Sequence, residues 1–137
     1  MIYAHYSLIP WNEARWPNFS AMEIACRFDG EAYLDLGFLD ALQRLRRLLN
    51  RPVLLTSAHR SRVHNRMVGG AVNSEHLKLA VEFSLKGHEP RTLLGAAKEA
   101  GFTTFGFYKT FLHCDLRPNR RWATKEGKKT WKRLVIS

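Results

Sequence analysis

The segment from Leu79 to Leu85 sets the first constraint on the fold, because it alternates without a break. Leu79, Val81, Phe83 and Leu85 fall on one side of an extended chain, and Ala80, Glu82 and Ser84 on the other. This is the pattern of a strand with one face against a core, and it carries a carboxylate on its second face. An unpaired buried carboxylate is costly, so Glu82 needs a partner. His76 stands just upstream, at the entrance to the strand. Further along, Phe105 to Leu116 is β-like and aromatic. Within it Phe111, His113 and Asp115 share one face, while Leu112, Cys114 and Leu116 share the opposite one.

The intervening sequence supplies helices to cover the apolar faces. Ser20 and Glu23 form a capping box, with Phe19 placed to staple onto Ile24. Phe38, Leu39, Leu42, Leu45, Leu48 and Leu49 recur at three- and four-residue spacing and predict a longer helix, ended by Asn50-Arg51-Pro52. Val53 to Ser57 is predicted as a short central strand. Ala58 to Asn73 has the texture of a loop, with a helical turn around His64–Met67 and a tight turn at Val68-Gly69-Gly70. Pro90 opens a further helix and Gly101 closes it. Helices and strands mix without a regular βαβ rhythm, so the predicted class is α+β, an antiparallel sheet flanked by helices. Residues 1–137 are expected to form a single domain that ends in a basic segment, 117–137.

Composition narrows the partners. The net charge is +10, and the segment 117–137 holds eight basic residues against one acid, Glu126. Such a patch attracts polyanions, whether nucleic acid, an acidic membrane surface or anionic cell-envelope polymers. Trp122 and Trp131 interleave with these charges, but no recognised nucleic-acid motif accompanies them. No apolar run is long enough to span a membrane. The opening MIYAHYSLIPWNEARW lacks a basic start followed by an apolar core, so synthesis in the cytoplasm without a signal peptide is expected. Cys26 and Cys114 are too few for a disulfide scaffold and are expected as packed thiols.

Histidine and acid on strand faces that met only solvent would be surprising, since lysine and threonine serve there. His76, Glu82 and His113 converging from neighbouring strands match the ligand set of a catalytic zinc site with one open position. Bound zinc acidifies water and polarises a carbonyl, chemistry suited to hydrolysis. Asp115, two residues beyond His113 on the same face, is placed to orient a ligand or to accept a proton. The same residues also fit purely structural roles, and His5, His59, His64 and His88 compete in any count of ligands.

Ser57-Ala58-His59-Arg60-Ser61, His64-Asn65, Val68-Gly69-Gly70-Ala71, Ser74-Glu75-His76 and Phe111-Leu112-His113-Cys114-Asp115 occur in that order. In combination they resemble the zinc D-Ala-D-Ala peptidase family, of murein carboxypeptidases and phage endolysins with a hedgehog-like fold. The resemblance covers roughly residues 10–122 and implies an α+β fold. It implies that His76 and His113 are zinc ligands and that Glu82 takes the place of the third. It places Arg60 and Ser74 at the substrate peptide, Arg60 facing a terminal carboxylate or the tetrahedral oxyanion. Asp115 and Arg60 are thereby the expected catalytic residues.

Three departures from the family pattern Ser-x-His-x-x-Gly-x-Ala-x-Asp and its neighbours stand out. The chain is one residue short between His76 and Ala80, with no counterpart to the glycine, and the aspartate is Glu82. His59 replaces the usual tyrosine. Thr110 stands where the dipeptidase branch has the glutamate of Glu-x-x-His. The implied function is a zinc-dependent, monomeric peptidase of carboxypeptidase or endopeptidase type. It would cut a D-amino-acid-containing bond in the peptidoglycan peptide stem and act on the wall after release, as a phage or prophage lysin does. The alternative is a non-catalytic wall- or partner-binding module on a degenerate peptidase scaffold.

Overall fold

A computed structural model describes residues 1–136. The N-terminal part contains β1 (Ile2–Tyr3), α1 (Ala21–Ile24) and β2 (Ala32–Tyr33), with β1 and β2 paired antiparallel. The capping box at Ser20 closes in both directions, Ser20 Oγ accepting from Glu23 N–H and Glu23 accepting from Ser20 N–H. Then follow α2 (Leu36–Leu49), β3 (Leu55–Ser57), α3 (Arg62–Met67) and β4 (Val81–Ser84). The chain continues through α4 (Pro90–Ala100), β5 (Thr104–Phe107), β6 (Phe111–Asp115), β7 (Arg121–Ala123) and α5 (Lys125–Trp131). Pro90 sits in the first turn of α4 and Gly101 caps its end at φ 114°.

The main sheet has the order β3-β4-β6-β5-β7. Its first four strands pair antiparallel, as expected, but β7 runs parallel to β5, which makes the sheet mixed. The class is α+β. The strand at 55–57 lies at the sheet edge rather than at its centre. Within it Leu55 is buried, but the preceding Leu54 is 61% exposed and Thr56 also faces solvent. That alternation marks one solvated face of the sheet, and the edge position follows from pairing, since β3 neighbours only β4 among the described strands.

One sheet face packs against α2 and α4 through Val81, Phe83, Phe105, Phe107, Leu112 and Cys114. Leu42, Leu45, Leu93 and Ala97 meet them from the helices, all without measurable exposure. Burying a Leu or Phe side chain contributes about 1.5–3 kcal/mol, so this face anchors the sheet. Both cysteines are buried free thiols, Cys114 inside this core. Trp131 is likewise a core residue, 1% exposed. That removes it from any surface on which bases could stack between the C-terminal charges. Of the basic segment 117–137, only the last residue falls outside the described range.

Candidate metal centre

The second sheet face carries the polar residues, and strand register assembles them. Glu82 is the Cα partner of His113, His113 of Gly106, and Gly106 of Trp122. Ser57 on β3 pairs with Glu82 after a register shift. A single transverse row therefore runs Ser57–Glu82–His113–Gly106–Trp122 across the sheet. Directly opposed side chains on one face stand close enough to interact, so pairing alone brings Glu82 to His113.

His76 joins this row from a 3-10 turn, Glu75–Leu77, whose entry is capped by Ser74. Its ring packs edge-on against His113, with centroids 5.0 Å apart. Ligand atoms of His76, Glu82 and His113 all lie within 4.8 Å of one another, the one such cluster among the described residues.

Hydrogen bonds set the protonation of both imidazoles. His76 Nδ1 lies 2.6 Å from the carbonyl of Ala58, which can only accept, so Nδ1 carries the proton and Nε2 the lone pair. That Nε2 is buried, has no hydrogen-bond partner and stands 3.4 Å from Glu82 Oε2. His113 Nε2 lies 2.6 Å from Asp115 Oδ2. A proton on Nε2 satisfies that contact and leaves Nδ1 as the nitrogen available to a metal. Burial lowers the His113 pKa, against the opposing pull of Asp115, and so favours the neutral ring that a metal ligand requires.

The carboxylates are held ionised. Burial works against the Glu82 charge, yet its pKa lies below the ordinary value, held there by the imidazoles when they carry a second proton and by the Arg60 guanidinium throughout. Asp115 has no exposed side-chain surface, yet its pKa is depressed much further. The hydrogen bonds from His113 and Arg117 overcome the cost of burial there. Arg117 grips it with Nη2 on Oδ2 at 2.7 Å and Nε on Oδ1 at 3.0 Å, and its backbone N–H adds 2.9 Å to Oδ1. Asp115 thus stands behind His113, with both oxygens engaged.

These residues fit a zinc ion. They offer two nitrogen lone pairs and one carboxylate, an orphaned buried nitrogen points into the cluster, and each imidazole is oriented by an acceptor on its far side.

Two of the sequence departures meet at the shortened turn. His59, 1% exposed, contacts the Lys78 carbonyl through Nδ1 at 2.6 Å and Glu31 Oε1 through Nε2 at 2.8 Å. Lys78 lies in the stretch where the chain lacks a residue. The histidine that replaces tyrosine therefore fastens the abbreviated turn between His76 and β4.

Arg60 and Ser74 both line the cleft of about 480 Å³ that opens over His76, Glu82 and His113. Arg60 Nη1 donates to Asn65 Oδ1 at 3.1 Å. Gly70 makes room for that pair: a Cβ there would lie 2.1 Å from Asn65 Oδ1 and 2.7 Å from Arg60 Nη1.

Sequence reasoning did not assign Tyr108, Arg117, Arg120 and Trp122 to the site, although all line this cleft. Trp122 reaches it because its row neighbour is Gly106, where a Cβ would lie 2.5 Å from the indole. Its ring lies 4.8 Å from that of His113, and its Nε1 donates to Tyr108 Oη at 2.9 Å. A glycine in an otherwise aromatic strand was the available signal.

A comparison with curated proteins finds no match. The family model described as Peptidase M15 matches residues 17–115, a span that contains Arg60, Ser74 and the whole His76–Glu82–His113 cluster. With the matched span covering well over half its length, the chain belongs to the Peptidase M15 family.

Proposed function

We propose that this chain is a zinc-dependent peptidase that hydrolyses a D-amino-acid-containing peptide bond in peptidoglycan. The observation that carries the proposal is the convergence of His76 Nε2, Glu82 and His113 within a peptidase-family chain. His76, Glu82 and His113 would hold the ion. When bound, zinc supplies Lewis acidity, acidifying water and polarising a carbonyl.

The chain's own groups do the rest. Ala58 and Asp115 fix the two imidazoles in ligand-ready tautomers. With both its oxygens engaged, Asp115 acts through His113, as a positioning residue. Arg60, its pKa lowered by burial, keeps the guanidinium charge that arginine carries in proteins and presents a partly desolvated cation to a terminal carboxylate or to the oxyanion. Ser74 shapes the cleft beside it.

The shortened turn and Glu82 would favour a degenerate binding module had they pulled the carboxylate away. Glu82 instead lies against His76, which favours the enzyme. No helix among the described residues is long and apolar enough to cross a membrane. The basic residues of 117–136 would draw the protein to anionic polymers of the bacterial envelope, in keeping with a phage or prophage lysin that acts after release from the cytoplasm.

The test is His113→Ala. Loss of both bound zinc and lysis of purified cell walls, with the fold retained by circular dichroism, is the expected result. Lysis by the metal-free variant would refute the proposal.

A further inference from the structure

The short helix α3 is polarised against the usual rule. Its one buried residue is Asn65, 5% exposed, while Val63 and Met67 stand in solvent one helical turn apart. Val68 follows them, and Val72, 84% exposed, comes just after the Gly69-Gly70 turn. An ordinary surface helix does the reverse, with its apolar residues on the core and its amides in water.

Hydrogen bonds on the inner side fix this inversion. Asn65 Nδ2 donates to the Ala71 carbonyl at 3.0 Å, and its Oδ1 accepts from Arg60 Nη1 at 3.1 Å. Gly70 N–H donates to the Asn65 carbonyl at 2.9 Å, and Ser74 N–H to that of Ala71 at 3.0 Å. Residues two positions apart point to opposite sides of a helix, so holding Asn65 inward turns Val63 and Met67 outward. The same bonds fold residues 70–72 back onto α3. Val72 thereby joins Arg62 and Arg66 around a hollow of about 150 Å³. Ile2, itself more than half exposed, meets Val72 and Arg62 in the hollow next to it.

The charges around these apolar side chains have one sign. From Arg60 to Ser74 the sequence contains no acid. Arg62 and Arg66 are exposed, and neither takes part in an ion pair among the described residues. Glu75 and Lys78, which line the hollow with Ile2, are equal and opposite. Exposed aliphatic side chains flanked by unpaired arginines complement an anionic lipid surface, where headgroup phosphates overlie acyl chains. A nucleic acid would meet the arginines but gain nothing from four aliphatic side chains, and the segment has no Phe, Tyr or Trp to stack on its bases.

We propose that the outer side of residues 62–72, with Ile2, is a docking surface for an anionic phospholipid membrane. Val63, Met67, Val68 and Val72 enter the interface, and Arg62 and Arg66 bind headgroup phosphates. Gly70, Ala71, Asn73 and Ser74 of the same segment line the cleft over His76, Glu82 and His113, so docking sets that cleft beside the membrane surface. The docking surface stands whether or not the cleft hydrolyses peptides.

The test mixes the full chain with vesicles of phosphatidylcholine alone, or of phosphatidylcholine with roughly a third phosphatidylglycerol, and measures attachment by co-sedimentation. The basic segment 117–136 also attracts anionic vesicles, so the deciding variant leaves the charge unchanged: Val63→Ser, Met67→Ser and Val72→Ser together. Its attachment to the anionic vesicles is expected to fall about tenfold to a hundredfold below the wild type. Arg62→Gln with Arg66→Gln should lower attachment about fivefold per charge removed. Independently, Val72→Trp should add emission that shifts to the blue on anionic vesicles and is quenched by brominated acyl chains. No attachment by the wild type, equal attachment by the triple variant, or an added indole that stays in water would overturn the proposal. So would a wild-type dimer, seen by sedimentation without lipid, that the triple substitution dissociates, since the face would then belong to a second copy of the chain.

Discussion

His113 and Asp115 are two residues apart on one strand, share a face, and meet at 2.6 Å through Nε2 and Oδ2. This contact decides which nitrogen of His113 stays available, and Arg117 locks the carboxylate that makes it. Replacing Asp115 by asparagine removes the charge that Arg117 and the imidazole share. Zinc affinity measured by chelator competition is expected to fall about tenfold to a hundredfold, the usual cost of losing such a supporting group. An unchanged affinity would mean that the ring is positioned by packing alone.

Glu82 yields a less intuitive expectation. Aspartate is the family's usual residue, yet Glu82→Asp should weaken the site. The shortened turn fixes where β4 begins, and removing a methylene withdraws the carboxylate by about 1.5 Å. Metal sites tolerate ligand-distance errors of only about 0.2 Å. Zinc stoichiometry after dialysis should therefore drop well below that of the wild type. A fully loaded aspartate variant would show that the strand shifts to compensate.

Gly106→Ala tests the transverse row. The new methyl would lie 2.5 Å from the Trp122 ring, so the indole must leave its place beside His113. Overpacking of this kind costs about 1–3 kcal/mol. A lowered melting temperature is expected, together with a shifted Trp122 indole N–H resonance, since that group donates to Tyr108.

Away from the site, Asp40 ties the N-terminal segment to α2, accepting from Arg15 at 2.8 and 2.7 Å and from Trp16 Nε1 at 2.9 Å. Arg15 is the chief cause of its lowered pKa. A depressed carboxylate stabilises the fold fully above its unfolded value, near 3.8, and loses that contribution as pH falls through the folded value. Melting curves of Asp40→Asn should lie below the wild type at neutral pH and converge with it in strong acid. A constant gap across that range would assign the effect to packing.

Much of this was legible in local pattern. The alternation around Glu82, the face shared by His113 and Asp115, and the Pro90 and Gly101 boundaries needed only periodicity and caps. The order of the strands was not legible, because pairing depends on partners far away in sequence. Leu54 looked like part of a central run, but β3 neighbours only β4 among the described strands and so lies at the edge. The parallel approach of β7, which delivers Trp122, leaves no trace in the residues 121–123 themselves. His59 was visible as a departure, but its contact with the Lys78 carbonyl depends on the folded turn.

The two imidazoles at the centre are held by different kinds of acceptor. His113 answers to a side chain, so a single codon change can retune or detach it. His76 answers to the Ala58 carbonyl, which every residue at that position would supply. Its orientation can change only if the backbone beyond β3 moves. Variation in this candidate site is thus channelled toward the His113 side, where selection or a designer has side chains to work with, while the His76 side is inherited with the fold.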